Sequence, residues 1–216
     1  MIITQPRAFE RLLENLNSVQ ATSVFLVGCG QCASQVQTGG EPELIAAKQA
    51  LKDAGITVTG YVVDDVACHI GGVRVALRKA GEAVSNADAI LVYTCGAGVQ
   101  SVADALDIPV FPALDSTFLG NVVRHGVFEE RCQTCGDCVL DKTAGICPVT
   151  QCPKGLLNGP CGGMWDGRCE VLEDRDCVHV RIKRKLASQK RARTTSLDPK
   201  NYGVKLKPGR VTTRKR

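Results

Sequence analysis

Ser23-Val24-Phe25-Leu26-Val27-Gly28-Cys29-Gly30-Gln31-Cys32-Ala33 decides how this chain is read. The apolar run Ser23–Val27 ends at a glycine turn, the pattern of a buried strand giving way to a loop. After Gly39-Gly40, the stretch 41–54 has acids in its first turn and Gly55 just past its end, which predicts a capped helix. Residues 56–63 are β-branched and apolar, a second strand; 72–83 is a second helix and 89–93 a third strand. Residues 99–106 read as helical, and 108–111 begin a fourth strand. Upstream, 8–16 is an expected amphipathic helix. Strands alternating with helices imply βαβ units. The expectation is a small α/β, flavodoxin-like domain with a parallel sheet over residues 1–120.

The 216 residues are 44% hydrophobic and 23% charged, ordinary proportions for a soluble globular protein. No apolar run approaches the roughly 18–20 residues of a membrane-spanning helix. The start, MIITQPRAFERLLENL, carries acids early and lacks an apolar h-region, so a cytoplasmic protein is expected. In a reducing compartment its twelve cysteines read as metal or redox ligands and not as disulfides.

Composition changes twice along the chain. Residues 121–180 hold eight of the cysteines among Gly and Pro, with too little apolar content to fold without bound metal. This is the expected metal-stabilised, ferredoxin-like module. Residues 1–180 carry 13 Lys and Arg against 21 Asp and Glu, whereas residues 181–216 carry 14 against Asp198 alone. The net of −8 followed by +13 marks 181–216 as a basic tail, suited to an acidic protein surface, a nucleic acid or an anionic membrane.

The first four cysteines fall where the α/β reading puts strand ends. Cys29 and Cys32 follow the first strand, Cys68 the second and Cys95 the third. In an open parallel sheet these positions share the carboxyl edge, where ligands bind. Four thiolates meeting there suit an iron–sulfur cube or a zinc ion. One Cys-x2-Cys joined by two single cysteines favours iron–sulfur over paired zinc knuckles. Gly28, Gly30, Gly96 and Gly98 flank the thiols, allow close backbone approach and offer N–H groups to cluster sulfurs. Gly28-x-Gly30-x-x-Ala33 with Asp64 also fits a dinucleotide fingerprint, but two thiols occupy that loop. His69, His125 and His179 show no ligand spacing and receive no role.

Cys132-x2-Cys135-x2-Cys138 puts three thiolates in seven residues, as bacterial ferredoxins do. Cys147-Pro148 and Cys152-Pro153 repeat the Cys-Pro pairing of the fourth ferredoxin ligand. One of Cys147, Cys152, Cys161, Cys169 and Cys177 completes that cluster and four remain for another site, iron–sulfur or zinc. Spacing alone leaves the partition open. The chain shows no Ser–His–Asp order, P-loop, HExxH or paired carboxylates, so no catalytic residue is assigned. Two or three clusters without substrate chemistry read as an electron-transfer subunit. The alternatives are a zinc protein gripping nucleic acid with its tail, or an adaptor of another flavin complex. Against nucleic acid, the tail interleaves only Tyr202 among its charges.

Several stretches together resemble a known family: Gly28–Ala33, Gln37-Thr38-Gly39-Gly40-Glu41, Thr94–Gln100, Glu130-Arg131-Cys132 through Asp137-Cys138, and above all Ile146–Gly163. They are similar to the small iron–sulfur subunit of methylenetetrahydrofolate reductases in acetogens and related bacteria, over roughly residues 20–180. The resemblance implies [4Fe-4S] clusters on the matching cysteines and a partner, a TIM-barrel subunit whose FMN reduces methylenetetrahydrofolate to methyltetrahydrofolate. It implies that this chain feeds electrons to that flavin, itself supplied by an electron donor that the residues do not name. Val36 stands where many members carry another cysteine, which puts more weight on Cys68 and Cys95. The basic tail is then an expected docking segment for the flavin subunit.

Overall fold

The computed structural model describes residues 1–192 and 196–199. Most of the expected docking tail therefore lies outside the described residues. The chain divides into two compact units, Met1–Glu129 and Glu130–Arg216.

In the first unit, β1 (Ile2–Pro6) and α1 (Phe9–Ser18) precede β2 (Ser23–Cys29), α2 (Cys32–Val36) and α3 (Glu41–Asp53). Then come β3 (Thr57–Asp64), α4 (Ile70–Ala80), α5 (Glu82–Ser85), β4 (Ala89–Tyr93), α6 (Gly96–Ala103) and β5 (Val110–Pro112). Strands β6 (Leu114–Arg124) and β7 (Val127–Cys132) follow, the second crossing the unit boundary. Four strands form a parallel sheet in the order β3-β2-β4-β5. Strand β2 is central: Val27 is level with Val62 on one side and Val92 on the other. The chain thus goes from β2 outward to β3, then crosses back to β4, which makes the β2/β4 gap the topological switch point.

The core follows from periodicity. All five residues of β4 are buried, as a strand covered on both faces requires. Phe25 and Leu26 of β2 pack with Leu12 and Leu16 of α1, Leu44 and Leu51 of α3, Val73 and Leu77 of α4 and Val102 of α6. These helical pairs recur at spacings of four or seven, one face of each helix. Helix α3 begins where Glu43 accepts the Gly40 N–H at 2.8 Å, and Gly55 follows it in the left-handed region at φ +81°.

A second sheet, antiparallel in the order β1-β6-β7, was not expected. Ile2 is level with Leu119 and Pro6 with Leu114. Only Leu114 and Gly120 of β6 are buried, so its sequence lacks the alternation that marks a strand.

The second unit holds α7 (Pro148–Gln151), α8 (Val178–Ser188) and two isolated bridges, Trp165 with Arg168 and Arg168 with Asp176. The rest of its described residues are turns and irregular chain, so a ferredoxin-like topology rests on cysteine spacing alone. Its contiguous buried cluster is Ala144, Val178, Ile182 and Leu186, with Ile146 and Cys152 packed against it. Residues 181–188, the start of the basic tail by charge and readable as helical through Ala187, form the body of α8. Ile182 and Leu186, each 2% exposed, are core residues on one face of that helix.

Candidate metal centre

Each cysteine of the amino-terminal quartet is set by a strand end. Cys29 is the last residue of β2 and is buried; Cys32 opens α2 after the two-residue turn Gly30-Gln31. Cys68 lies four residues beyond the end of β3, next to His69, the N-cap of α4. Cys95 is the N-cap of α6, two residues past β4. All four therefore follow the carboxyl ends of β2, β3 and β4, at the switch point.

Backbone contacts draw these loops together. The Gly30 N–H donates to the Asp64 carbonyl at 2.8 Å, joining the β2 turn to the end of β3. A Cβ on Gly98 in α6 would stand 3.4 Å from the Cβ of Ala67, beside Cys68. Cys68 senses the other three thiols. Burial pushes the Cys68 thiol above its usual range, and Cys95, then Cys29 and Cys32, push it further as prospective like charges. Burial holds the Tyr93 phenol, on the preceding strand, up at about 12, so it stays neutral.

The flanking glycines have definite duties. The Gly96 N–H donates to the Ser116 hydroxyl at 2.9 Å, and that of Gly30 goes to Asp64. Gly28 lies within β2, where an added Cβ would press on the Gly39 carbonyl. Gly39 itself packs so closely on the Tyr93 carbonyl that no side chain fits. Its own carbonyl accepts the Cys29 N–H at 3.0 Å. A backbone donor at the dinucleotide-like turn is thus already engaged, and the loop after α2 fills the space above it.

His69 has a structural use that spacing did not reveal: its Nδ1 accepts the Gly72 N–H at 3.0 Å and caps α4. The helix begins at Ile70, two residues before its expected start at 72, which makes His69 the residue directly before it. His125 stands 3.3 Å from the Gln37 amide. His179 is buried, with Nε2 2.9 Å from the Leu156 carbonyl oxygen.

In the second unit the Cys132 loop curls tightly. The Thr134 N–H donates to Cys132 Sγ at 3.2 Å, and Thr134 and Gly136 both adopt left-handed backbone, φ +52° and +88°. The Cys135 thiol donates to the Asp137 carbonyl at 3.7 Å. Cys147 is the N-cap of α7. Gln151, at the far end of that helix, donates from Nε2 to the Glu130 carbonyl at 2.7 Å, two residues before Cys132.

Cys152, Cys161, Cys169 and Cys177 all line one pocket, largely apolar, with Pro153 and Val178 among its walls. Its cavity of about 20 Å³ exceeds what a single water needs. At its rim the Cys161 thiol donates to Glu170 Oε2 at 3.2 Å, and Lys154 pairs with the same carboxylate. Lys154 holds the Glu170 carboxyl below its usual range, and Glu170 holds the Lys154 ammonium above its own. Cys177 is the N-cap of α8, so the positive end of an 11-residue helix faces this thiol's position. Among the described residues, no three His, Cys, Asp or Glu side chains already stand in an arrangement able to hold a metal ion. All twelve cysteines are free thiols. No helix among the described residues is long and apolar enough to cross a membrane.

Comparison with known proteins gives one informative match. No curated protein sequence matches significantly. Among solved structures, that of arylmalonate decarboxylase aligns at 17% identity with a TM-score of 0.35. It covers 47% of this chain and 44% of that one, less than half of either, and carries no argument. Residues 111–202, which hold the eight cysteines from Cys132 to Cys177, are similar to the family described as methylene-tetrahydrofolate reductase C terminal.

Proposed function

We propose that this chain is a cytoplasmic iron–sulfur subunit that passes electrons to the FMN of a partner methylenetetrahydrofolate reductase subunit. The single observation that carries the reading is the pocket of Cys152, Cys161, Cys169 and Cys177, in a stretch similar to a methylene-tetrahydrofolate reductase domain. When bound, [4Fe-4S] clusters supply one-electron storage and transfer. The chain's own residues would hold and tune them. Cys29, Cys32, Cys68 and Cys95 are the proposed ligands at the sheet edge. Gly28, Gly30 and Gly96 are the proposed glycines beside those thiols; Gly28 allows the Gly39 carbonyl to approach β2 and Gly30 lies against the backbone of Asp64 and Asp65. The other eight cysteines are the proposed ligands of the second unit, whose contiguous buried cluster, four of the described residues, is too small to stabilise it alone. No residue is assigned a step on the folate, whose chemistry belongs on the partner.

The test is iron, zinc and acid-labile sulfide per chain on protein prepared without oxygen. About eight or twelve irons with matching sulfide are expected. Zinc with no iron or sulfide would overturn the reading in favour of a structural zinc protein.

A further inference from the structure

We propose that the outer edge of the parallel sheet, strand β3 from Gly60 to Asp64, pairs antiparallel with the same strand of a second copy of this chain. The proposal stands apart from the iron–sulfur reading, since none of its residues is a proposed cluster ligand.

Strand β3 ends its sheet, and among the described strands none pairs with its outer side. Its backbone there is set for pairing. The Asp64 carbonyl accepts the Gly30 N–H and so faces β2. By the two-residue alternation of a strand, Gly60 and Val62 also turn their backbone groups toward β2, and Tyr61 and Val63 turn theirs outward. The register with β2 slips once, where Val24 with Val58 gives way to Phe25 with Gly60, leaving Thr59 as a bulge. Beyond that bulge, residues 60–64 match residues 25–29 one for one. Exposed strand edges are ordinarily blunted by proline, charge or shortness. The opposite edge of this sheet, β5, has three residues and ends in Pro112. In the second sheet β1 ends in Pro6, and β7 carries Glu129, Glu130 and Arg131. Residues 60–63 have no such guard.

The groove beside this edge indicates what covers it. Tyr61, Val62 and Val63 line it with Val75 and Ala76 of α4, and Val75 is 46% exposed. Opposite charges stand toward its two ends. Helix α4 runs back along β3: a Cβ on Gly72 would lie 3.7 Å from the Asp64 carboxylate, and one on Gly60 would lie 3.1 Å from the Ala83 Cβ, past the end of the helix. Asp65 therefore lies at one end of the groove, and Lys79, seven residues after Gly72 and so about 10 Å along the axis, lies toward the other. A two-fold axis at Val62 sets Tyr61 of each copy opposite Val63 of the other, as hydrogen-bonded pairs. The same axis brings the Asp65 end of each copy onto the Lys79 end of the other. A second copy thus presents both signs in reverse order, which a uniformly basic segment such as the sequence after Pro199 does not.

The test is sedimentation equilibrium of the full chain, prepared without oxygen, over a range of concentrations, with amide exchange followed on the same samples. A species of about twice the 23.0 kDa chain is expected, and the Tyr61 and Val63 amides should exchange more slowly as it forms. Val63→Pro removes an outward donor and no bond to β2, and should weaken association at least about tenfold. Charge reversal probes the same contact without touching the backbone. Lys79→Glu and Asp65→Lys should each weaken association at least about tenfold, and the two together in one chain should restore it. A chain that stays monomeric throughout would overturn the proposal. So would a dimer that both single reversals leave intact. Slower exchange at Tyr61 and Val63 only on adding the flavin subunit would also overturn it, by giving the edge to a different protein.

Discussion

The Asn158 side chain holds both backbone groups of Leu197: Nδ2 donates to the Leu197 carbonyl at 2.9 Å, and Oδ1 accepts the Leu197 N–H at 2.7 Å. Leu197 is thereby pinned among Thr143, Leu157 and Ile182 at 6% exposure. A segment rich in charge returns to the second unit through one apolar residue and one amide. Leu197→Ala should cost about 2–3 kcal/mol of that unit's stability, the ordinary range for an emptied leucine site. Asn158→Ala should cost about 2 kcal/mol, since two backbone groups lose their partner. Thermal unfolding of the iron-loaded chain measures both, and trypsin should release the segment beyond Ser188 sooner in each variant. Unchanged melting and cleavage would show that the clamp contributes nothing.

Metal removal should unfold the two units unequally. The first unit has a contiguous apolar cluster of more than twenty buried residues, whereas the contiguous cluster of the second, among the described residues, has four. After chelation, amide exchange should accelerate at Ile182 and Leu186 of α8 by the full loss of local protection, while Phe25 and Leu91 keep theirs. Equal loss in both units, or none in α8, would contradict a metal-dependent second unit.

How much of this was legible in the sequence depended on the strength of the local signal. Strand β4 matches its expected bounds, and β2, α3 and β3 match to within two residues, because buried parallel strands and a capped helix each carry strong patterns. Cys95 and Cys68 were placed at strand ends for the same reason. Strands β1, β6 and β7 were missed because a ribbon with exposed residues on most positions has neither a continuous apolar run nor alternation. Ile182 and Leu186 were hidden by the lysines and arginines around them: α8 is basic on its outer face and apolar on its inner one, and net charge sees only the first. That Cys152, Cys161, Cys169 and Cys177 line one pocket depends on turns that no spacing rule encodes.

Asp88 ties together the starts of β2 and β4. One oxygen, Oδ2, accepts from the Thr22 N–H at 2.9 Å, the Ser23 hydroxyl at 2.9 Å, the Ser23 N–H at 2.8 Å and the Thr22 hydroxyl at 3.1 Å. These bonds, the Thr22 N–H first, hold the carboxyl below its usual range. A folded value below the unfolded one of about 3.9 means that the stabilisation is complete above that pH and is lost as pH falls through the folded value. Asp88→Asn should therefore lower the melting temperature by a few degrees at neutral pH and flatten the acid limb of the stability profile. Parallel acid limbs for the two proteins would show that Asp88 does not carry this dependence.

Gly39 is a steric requirement of the sheet edge. Its missing Cβ would overlap the Tyr93 carbonyl oxygen, which is backbone and cannot rotate away. Gly39→Ala should cost about 3 kcal/mol, the upper part of the range for overpacking. It should also loosen the Cys29 N–H bond to the Gly39 carbonyl, and with it the first quartet. Urea unfolding and iron content of the purified variant report the two effects. A variant as stable as the parent would mean that β2 and β4 separate more easily than their buried ladder implies.

The last prediction concerns the basic segment, now bounded by structure. Deleting everything after Val180 would cut into α8 and remove Ile182 and Leu186 from the core, so such a truncation cannot test docking. Removing residues 200–216 leaves Leu197 in place and deletes seven Lys and Arg with no Asp or Glu. If these charges steer the chain to an acidic surface on the flavin subunit, the full chain's association should weaken steeply with salt, because attraction between exposed charges is screened within about 10 Å at 0.1 M. The truncated chain should associate at least about tenfold more slowly at low salt and show little further loss as salt rises. Binding kinetics against the flavin subunit at several salt concentrations read this directly. Identical rates and identical salt slopes would place the interface on the folded units, where the apolar side chain of Trp165, 83% exposed, becomes the next residue to substitute.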